Sequence, residues 1–239
     1  MMLPTIQPLG WDSDFLGFSV GRLLTDGLSE AQIATAVADA RRAGFRLLYA
    51  VASPANAAAA TALRQAGALL ADRKVTFAMP VLTGPAPVAA AISATTAYSP
   101  QLESLAWQSG EYSRFRLDPR LAPTVFREMY SRWLHNSLTG SIARQVLVWR
   151  APTGHELGLL TLGEKNGRAD IGLLAVDAAA RGQRVGQQLV AAAVAQAAAW
   201  GYAELQVVTQ GDNEPACRFY EKCGFQLVQE EHIYHCWLD

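Results

Sequence analysis

Residues 169–186 read ADIGLLAVDAAARGQRVG, and this stretch decides how the rest of the chain is read. The apolar run from Ile171 to Val176 has the length and composition of a buried strand. Asp177 and three alanines follow, then Arg181-Gly182-Gln183-Arg184-Val185-Gly186. Beyond them Gln187 to Trp200 is alanine-rich and reads as a helix. A strand that empties through a short glycine-containing loop into a helix start makes an anion site. The first amides of a helix lack intrahelical partners, and the dipole there favours negative charge. Gly182 and Gly186 let the backbone approach a bulky anion, while Arg181 and Arg184 add full positive charge. The stretch reads as a pyrophosphate cradle. Neither GxxxxGK[ST] nor GxGxxG is present, so it is neither a P-loop nor the dinucleotide fingerprint.

The chain has 239 residues, ample for a sizeable core in one large domain or two small ones. Hydrophobic residues make up 51% and charged ones 17%, the balance of a globular chain and not of a disordered one. A net charge of −1 argues against a nucleic-acid or membrane-surface partner, though local basic loops remain compatible with it. Cys217, Cys223 and Cys236 have no zinc spacing, and their odd number reads as reduced thiols in a cytoplasm. The N-terminal stretch carries neither a basic n-region nor a long apolar run, so no signal peptide or transmembrane helix is expected.

Upstream, the sequence alternates strands and helices. Phe18 to Leu24 reads as a strand. Ser29 with Gln32 three residues on is a capping box, and Gly44 suits the C′ position of the helix between. Phe45 to Ala52 reads as a buried strand, Pro54 to about Gly67 as a second helix, and Val75 to Met79 as another strand. The rings and side chains of Trp11, Phe15, Leu16 and Phe18 form either a local core or the lining of a cleft. Gly84, Pro85 and Pro87, among small residues, mark 83–94 as a linker. This divides the chain into a small α/β domain over 1–82 and a second domain over 95–239.

In the second part, Ser99-Pro100 opens a helix to Gln108. Residues 110–119 are polar, aromatic and basic at once and read as a loop, with Asp118-Pro119 starting a helix through Leu138. A hairpin follows, Gln145 to Trp149 and Leu157 to Leu162, and an Asn166-Gly167 turn leads into the strand of the opening stretch. After the alanine-rich helix come a strand (Glu204 to Thr209), a helix from Asn213 to Cys223, and a last strand or strand pair from Phe225 to Leu238. Asn213 and Tyr220 are seven residues apart. On a helix, seven steps of about 100° return to within about 20° of the same face, so both look toward one ligand.

The cradle resembles the acetyl-CoA loop of the GNAT N-acetyltransferases, whose pattern is Gln or Arg, two residues, Gly, one residue, then Gly or Ala. Arg181 and Gly186 match its outer positions. Arg184 stands where that pattern has its first glycine, which implies either a right-handed backbone there or an arginine turned outward toward phosphate. The order helix, helix, three strands, helix, strand, helix, strand over 95–239 is also that of the GNAT fold. The resemblance therefore implies an α/β protein, with a GNAT domain in the C-terminal half and a smaller GNAT-like α/β domain before it. It implies acetyl-CoA as co-substrate and no metal. Leu174, Ala175 and Val176 would hold the thioester carbonyl by a backbone amide, and residues Arg181, Gly182, Gln183, Arg184, Val185 and Gly186 would hold the diphosphate. Asn213 would lie near the pantetheine arm, and Tyr220 would protonate the departing thiolate.

WDSDFLGF near the N-terminus, SRFRLDP at 113–119, ADIGLLAV and VVTQGDNEPACRFYEKCGF are similar to one branch of that family, the dTDP-fucosamine acetyltransferases. That branch acetylates the 4-amine of dTDP-4-amino-4,6-dideoxygalactose. By this resemblance Tyr112, Arg114, Phe115 and Arg116 belong to the nucleotide-sugar side, where an Arg fork binds diphosphate and a ring stacks on thymine. The other reading of these residues is a surface loop whose arginines meet Asp118 or Glu111. Homodimers, common in the family, are a further expectation. No histidine stands in a telling place. Glu111 is a conceivable base for the amine, and an amine bound neutral needs none. Two other functions stay open: acetyl transfer to a different amine or a protein N-terminus, and acyl-CoA binding without catalysis.

Overall fold

The computed structural model describes residues 6–81 and 89–238. The chain divides into two compact units. One holds the chain through Val75 together with Gln210–Asp212 and the terminal stretch from Gln229; the other holds Thr76–Thr209 and Asn213–Val228.

The first unit contains β1 (Gln7–Pro8), α1 (Gly10–Leu16), β2 (Val20–Leu24), α2 (Glu30–Arg42), β3 (Leu47–Ala52) and α3 (Ala57–Gln65), and then β4 (Leu69–Pro80), which enters the second unit at Thr76. The start of α2 follows from local chemistry. Ser29 Oγ accepts the Gln32 amide, and the Gln32 side chain accepts the Ser29 amide at 2.9 Å. Ile33, Ala36, Val37 and Ala40 then face the core, where they meet Leu48 and Ala50 of β3 and Ala59 and Leu63 of α3. All six residues of β3 are buried, as a strand covered on both faces requires. One expectation is corrected here: Trp11, Phe15, Leu16 and Phe18 do not form a core. Helix α1 buries none of its residues, and Trp11, 44% exposed, stacks on Phe15 one turn away. Phe18 lies instead against Trp237, with the Arg46 guanidinium over its ring.

The second unit continues with β5 (Ile92–Thr95), α4 (Pro100–Ser109), α5 (Arg114–Leu117), α6 (Pro123–Leu138), β6 (Gln145–Arg150), β7 (Glu156–Lys165) and β8 (Arg168–Val176), followed by a 3-10 turn (Ala178–Ala180). Then come α7 (Val185–Ala199), β9 (Glu204–Gln210), α8 (Glu214–Lys222) and β10 (Gln226–Trp237), whose residues from Gln229 belong to the first unit. The strands run in the order β9-β8-β7-β6-β5, with β8 and β9 parallel and the other neighbours antiparallel. Helices α4 and α6 bury Leu102, Leu105, Tyr130 and Leu134 against Val146, Val148, Leu159, Leu173 and Ala175 of the sheet. Asn166 and Gly167, both with positive φ, make the tight turn between β7 and β8.

Three boundaries differ from the sequence reading. The stretch 110–119 is not all loop, because Ser113 caps the short helix α5 through the Phe115 amide. Asp118-Pro119 does not start α6. A residue before proline is held extended, so Asp118 closes α5 and its Oδ1 accepts the Arg120 amide at 2.9 Å. Of the expected linker, 83–88 lies outside the described residues, and its end is not linker: Ile92–Thr95 pairs antiparallel with β6. The chain's last strand, expected in the second domain, pairs through His232–Trp237 with β3 of the first unit. Among the described residues no helix is long and apolar enough to cross a membrane.

Candidate active site

The site is built on a strand that leaves its neighbour. Parallel pairing of β8 with β9 covers Ala169, Asp170 and Ile171, opposite Leu205, Gln206 and Val207, and goes no further, although β8 continues to Val176. The side on which its later amides lie follows from two hydrogen bonds. The Leu173 amide donates to Thr161 Oγ1 at 2.8 Å and the Asp177 amide to Leu157 O at 2.9 Å, both toward β7. Successive amides of an extended strand alternate sides. Those of Leu174 and Val176 therefore point away from β7, into the space where the β9 ladder has ended, while that of Ala175 faces β7. Within the expected Leu174–Val176 segment, Leu174 and Val176 thus carry the two amides not turned toward β7.

The loop beyond β8 carries charge to the same end. Arg181 Nε donates to Val176 O at 3.3 Å, which folds this side chain back along the strand terminus. Gln183 is used within the loop, its amide nitrogen donating to Ala179 O at 3.1 Å. Gly182 and Arg184 both have positive φ. Arg184, immediately before α7, has φ 60° and ψ 16°. The right-handed backbone weighed for it is not what forms; the position keeps the left-handed geometry that glycine adopts freely. The Arg184 side chain is exposed and makes no ion pair or hydrogen bond among the described residues. Val185 is buried and begins α7. At Gly186 a Cβ would lie 3.0 Å from the Phe219 ring and 3.6 Å from Val176 Cγ2. The start of α7 is therefore wedged between the end of β8 and α8.

Helix α8 carries the two residues expected to act there. Asn213 is its N-cap, with Oδ1 accepting the Ala216 amide at 3.2 Å. It lies just outside the helix, with φ −84° and ψ 65°, so the same-face arithmetic does not strictly apply to it. Its amide nitrogen takes no part in the cap. Tyr220 is 5% exposed, with the rings of Phe77, Phe219 and Phe225 at centroid distances of 6.0, 5.3 and 5.7 Å. Burial, and secondarily the Cys223 and Cys217 thiols, push its hydroxyl well above the ordinary phenol range. At neutral pH Tyr220 is a neutral proton donor. Burial also raises the Cys223 thiol to about 11, so it is no thiolate nucleophile.

The segment expected on the substrate side begins close by. Gln108, near the end of α4, donates to Asp177 Oδ2 at 3.5 Å, which brings the start of residues 110–117 to the end of β8. Tyr112 and Arg114 are half-buried. Phe115 is 6% exposed and meets Trp133 edge-on, with the Arg114 guanidinium 4.7 Å from its centroid. Its ring packs the interior and is not presented to a base. Arg116 sits 3.6 Å from Glu111 and over the Phe126 ring. The surface ion pair weighed for this loop therefore forms, at Arg116.

Two residues went unnoticed in the sequence. Thr161 accepts the Leu173 amide, as above. Asp170 lies one residue before the β8–β9 pairing ends; burial raises its carboxyl, against the lowering effects of a 2.9 Å hydrogen bond from Gln206 and of Lys165 nearby. Gly172, isolated within a strand, was the available signal of irregularity there. Among the described residues no group of three or more His, Cys, Asp or Glu could hold a metal ion.

Comparison with known proteins identifies the family and the fold. The Acetyltransferase (GNAT) family pattern matches residues 101–225. The dTDP-fucosamine acetyltransferase of Escherichia coli O6:H1 is 33% identical over 221 residues, 92% of this chain and 92% of that protein. A GCN5-related N-acetyltransferase from Sphaerobacter thermophilus superposes with a TM-score of 0.58 at 15% identity, over 98% of this chain and 76% of that one. A tandem GNAT protein from the clavulanic acid biosynthesis pathway gives 0.56 at 18%, over 93% and 76%. These two structures show the fold, an α/β GNAT-like arrangement of mixed sheet and flanking helices. With the family pattern matched over 101–225 and a relative 33% identical along 92% of its length, the chain belongs to the GNAT acetyltransferase family.

Proposed function

We propose that this protein transfers the acetyl group of acetyl-CoA to the amine of a dTDP-linked amino-dideoxy sugar, with dTDP-4-amino-4,6-dideoxygalactose as the acceptor. The observation that carries the transfer is the parting of β8 from β9, together with a buried, protonated Tyr220 on the helix whose Phe219 lies against the start of α7. The residues fit acetyl-CoA: amides aimed into a gap, a helix start bearing two exposed arginines, and a phenol on the adjoining helix. The sugar acceptor is supported by the relative similar along nearly the whole chain.

Acetyl-CoA supplies the acetyl group as an activated thioester. As the amine nitrogen bonds to the carbonyl carbon, the Leu174 and Val176 amides hold the negative charge that develops on its oxygen. When the C–S bond breaks, Tyr220 gives its proton to the sulfur and recovers one from solvent. The amine binds neutral and loses its surplus proton to water. Arg181 and Arg184 meet the diphosphate of the co-substrate, while Tyr112, Arg114 and Arg116 face the nucleotide sugar.

The test is thiol release from acetyl-CoA with dTDP-4-amino-4,6-dideoxygalactose, run beside its C4 epimer. Turnover with the first sugar alone supports the whole reading. Silence with both, while CoA binds tightly, sinks the sugar assignment. A second reading keeps the transfer and changes the amine. It is favoured by the burial of Phe115 and the Arg116–Glu111 pair, which engage two groups expected to hold the nucleotide. It predicts no rise in melting temperature with millimolar dTDP.

A further inference from the structure

We propose that Thr161 is a positioning residue whose hydroxyl holds the bulge in β8 that aims the Leu174 and Val176 amides into the gap beside β9. The proposal deepens the functional reading above and rests on it. Register shows where the irregularity lies. Leu160 pairs with Leu174 and Leu162 with Ile171, so two steps along β7 correspond to three along β8. The extra residue is in β8, at Gly172-Leu173, opposite Thr161. A strand bulged in this way bends and twists more sharply than its neighbours. Pairing with β9 ends at Ile171, the residue immediately before the bulge.

Thr161 anchors this bend from the facing strand. Its Oγ1 accepts the Leu173 amide at 2.8 Å, and the residue is 2% exposed, so water is a poor substitute acceptor. Gly172 is the complement: a Cβ there would lie 2.9 Å from that same oxygen. One strand contributes an acceptor and the other the room for it. A valine at 161 has nearly the same shape and no acceptor, which leaves the Leu173 amide buried without its partner. The bulge is then free to migrate or close. A one-residue slip reverses the side to which every following group points, so the amides would turn from the gap toward β7. Thr161 acts through the backbone of β8 and touches no reacting atom.

The experiment compares Thr161→Val with Thr161→Ser in the full chain. In thiol-release kinetics, Thr161→Val should lower kcat about tenfold or more with KM for acetyl-CoA within about threefold, while Thr161→Ser stays within about threefold of the parent in both. A turnover-independent arm records the Leu174 and Val176 amide resonances as acetyl-CoA is added. They should move in the parent and in Thr161→Ser, and remain unmoved in Thr161→Val. Parental kcat and parental amide shifts in Thr161→Val, or a serine variant as impaired as the valine one, would overturn the role. A parent whose resonances move but which turns over no amine refutes the proposed reaction and leaves the positioning standing. Resonances unmoved in the parent refute both. If Thr161→Val does not fold, Thr161→Cys, whose sulfur is only a weak acceptor, is measured by the same criteria.

Discussion

Replacing Arg184 by glycine should make the protein more stable and a poorer binder of acetyl-CoA, two effects that a single structural role would not combine. Arg184 holds φ 60° and ψ 16°. For a residue with a Cβ this left-handed conformation costs about 1–2 kcal/mol. Glycine removes that strain but brings back about 0.4–1 kcal/mol through the greater freedom of its unfolded chain. The side chain makes no ion pair or hydrogen bond among the described residues, so nothing else is lost on folding. Taken at the middle of both ranges the net gain is about 0.8 kcal/mol, which for a chain of this length raises Tm by about 2–3 °C. Under the proposed function the lost guanidinium weakens acetyl-CoA binding by about tenfold, the scale of one charge-assisted contact at an exposed site. Arg184→Ala separates the two effects, since it keeps the strain, gains no stability and loses the same affinity. The assays are thermal unfolding of the free protein and calorimetric titration with acetyl-CoA at low and high salt, where the affinity gap between parent and variant should narrow as salt screens the charge. A fall in Tm for the glycine variant together with unchanged affinity would refute the reasoning.

Tyr220→Phe keeps the ring among Phe77, Phe219 and Phe225 and removes only the hydroxyl that carries the proton. It should lower kcat by about one to three decades with little change in acetyl-CoA affinity or Tm; unchanged kcat removes Tyr220 from the mechanism. Gly110→Ala places a Cβ 2.2 Å from the Tyr130 ring, so it should destabilise the protein by about 1–3 kcal/mol, seen as a lower Tm. Alkali should weaken the fold: burial raises the Cys223 thiol to about 11, the Cys236 thiol to about 12 and the Tyr220 phenol higher still. Groups whose folded values lie above their unfolded ones stabilise fully below the unfolded values, and that stability is lost as pH rises from about 9 through the folded values. Tm measured from pH 8 to 11 should fall more steeply in the parent than in Cys236→Ala, and equal slopes would count against the buried thiol as a contributor.

How much was legible can be judged residue by residue. The Ser29–Gln32 capping box, the Asn166-Gly167 turn and the helix starts at Ser99 and Asn213 all formed where the sequence placed them. Each depends on groups within a few residues of one another. The readings that failed depended on what the rest of the chain places nearby. Phe115 is aromatic and flanked by arginines, which suits a base-binding loop equally well, until Trp133 on α6 takes up its edge. The helix carrying Trp11 and Phe15 has an apolar pair at the right spacing, yet among the described residues none of the helix is fully buried and Trp11 stays 44% exposed.

The sequence by itself determined the alternation of strands and helices, the basic helix start after β8, and the presence of a tyrosine on the following helix, because periodicity, capping and charge are short-range properties of the chain. Only the tertiary structure decided that β8 leaves β9 after Ile171, that Thr161 stands opposite the bulge, that Arg184 is held left-handed, and that the last strand pairs with β3. Register and partner choice are settled by pairing between segments far apart in the chain, where a shift of one residue reverses which groups face the gap and leaves the local sequence unaltered.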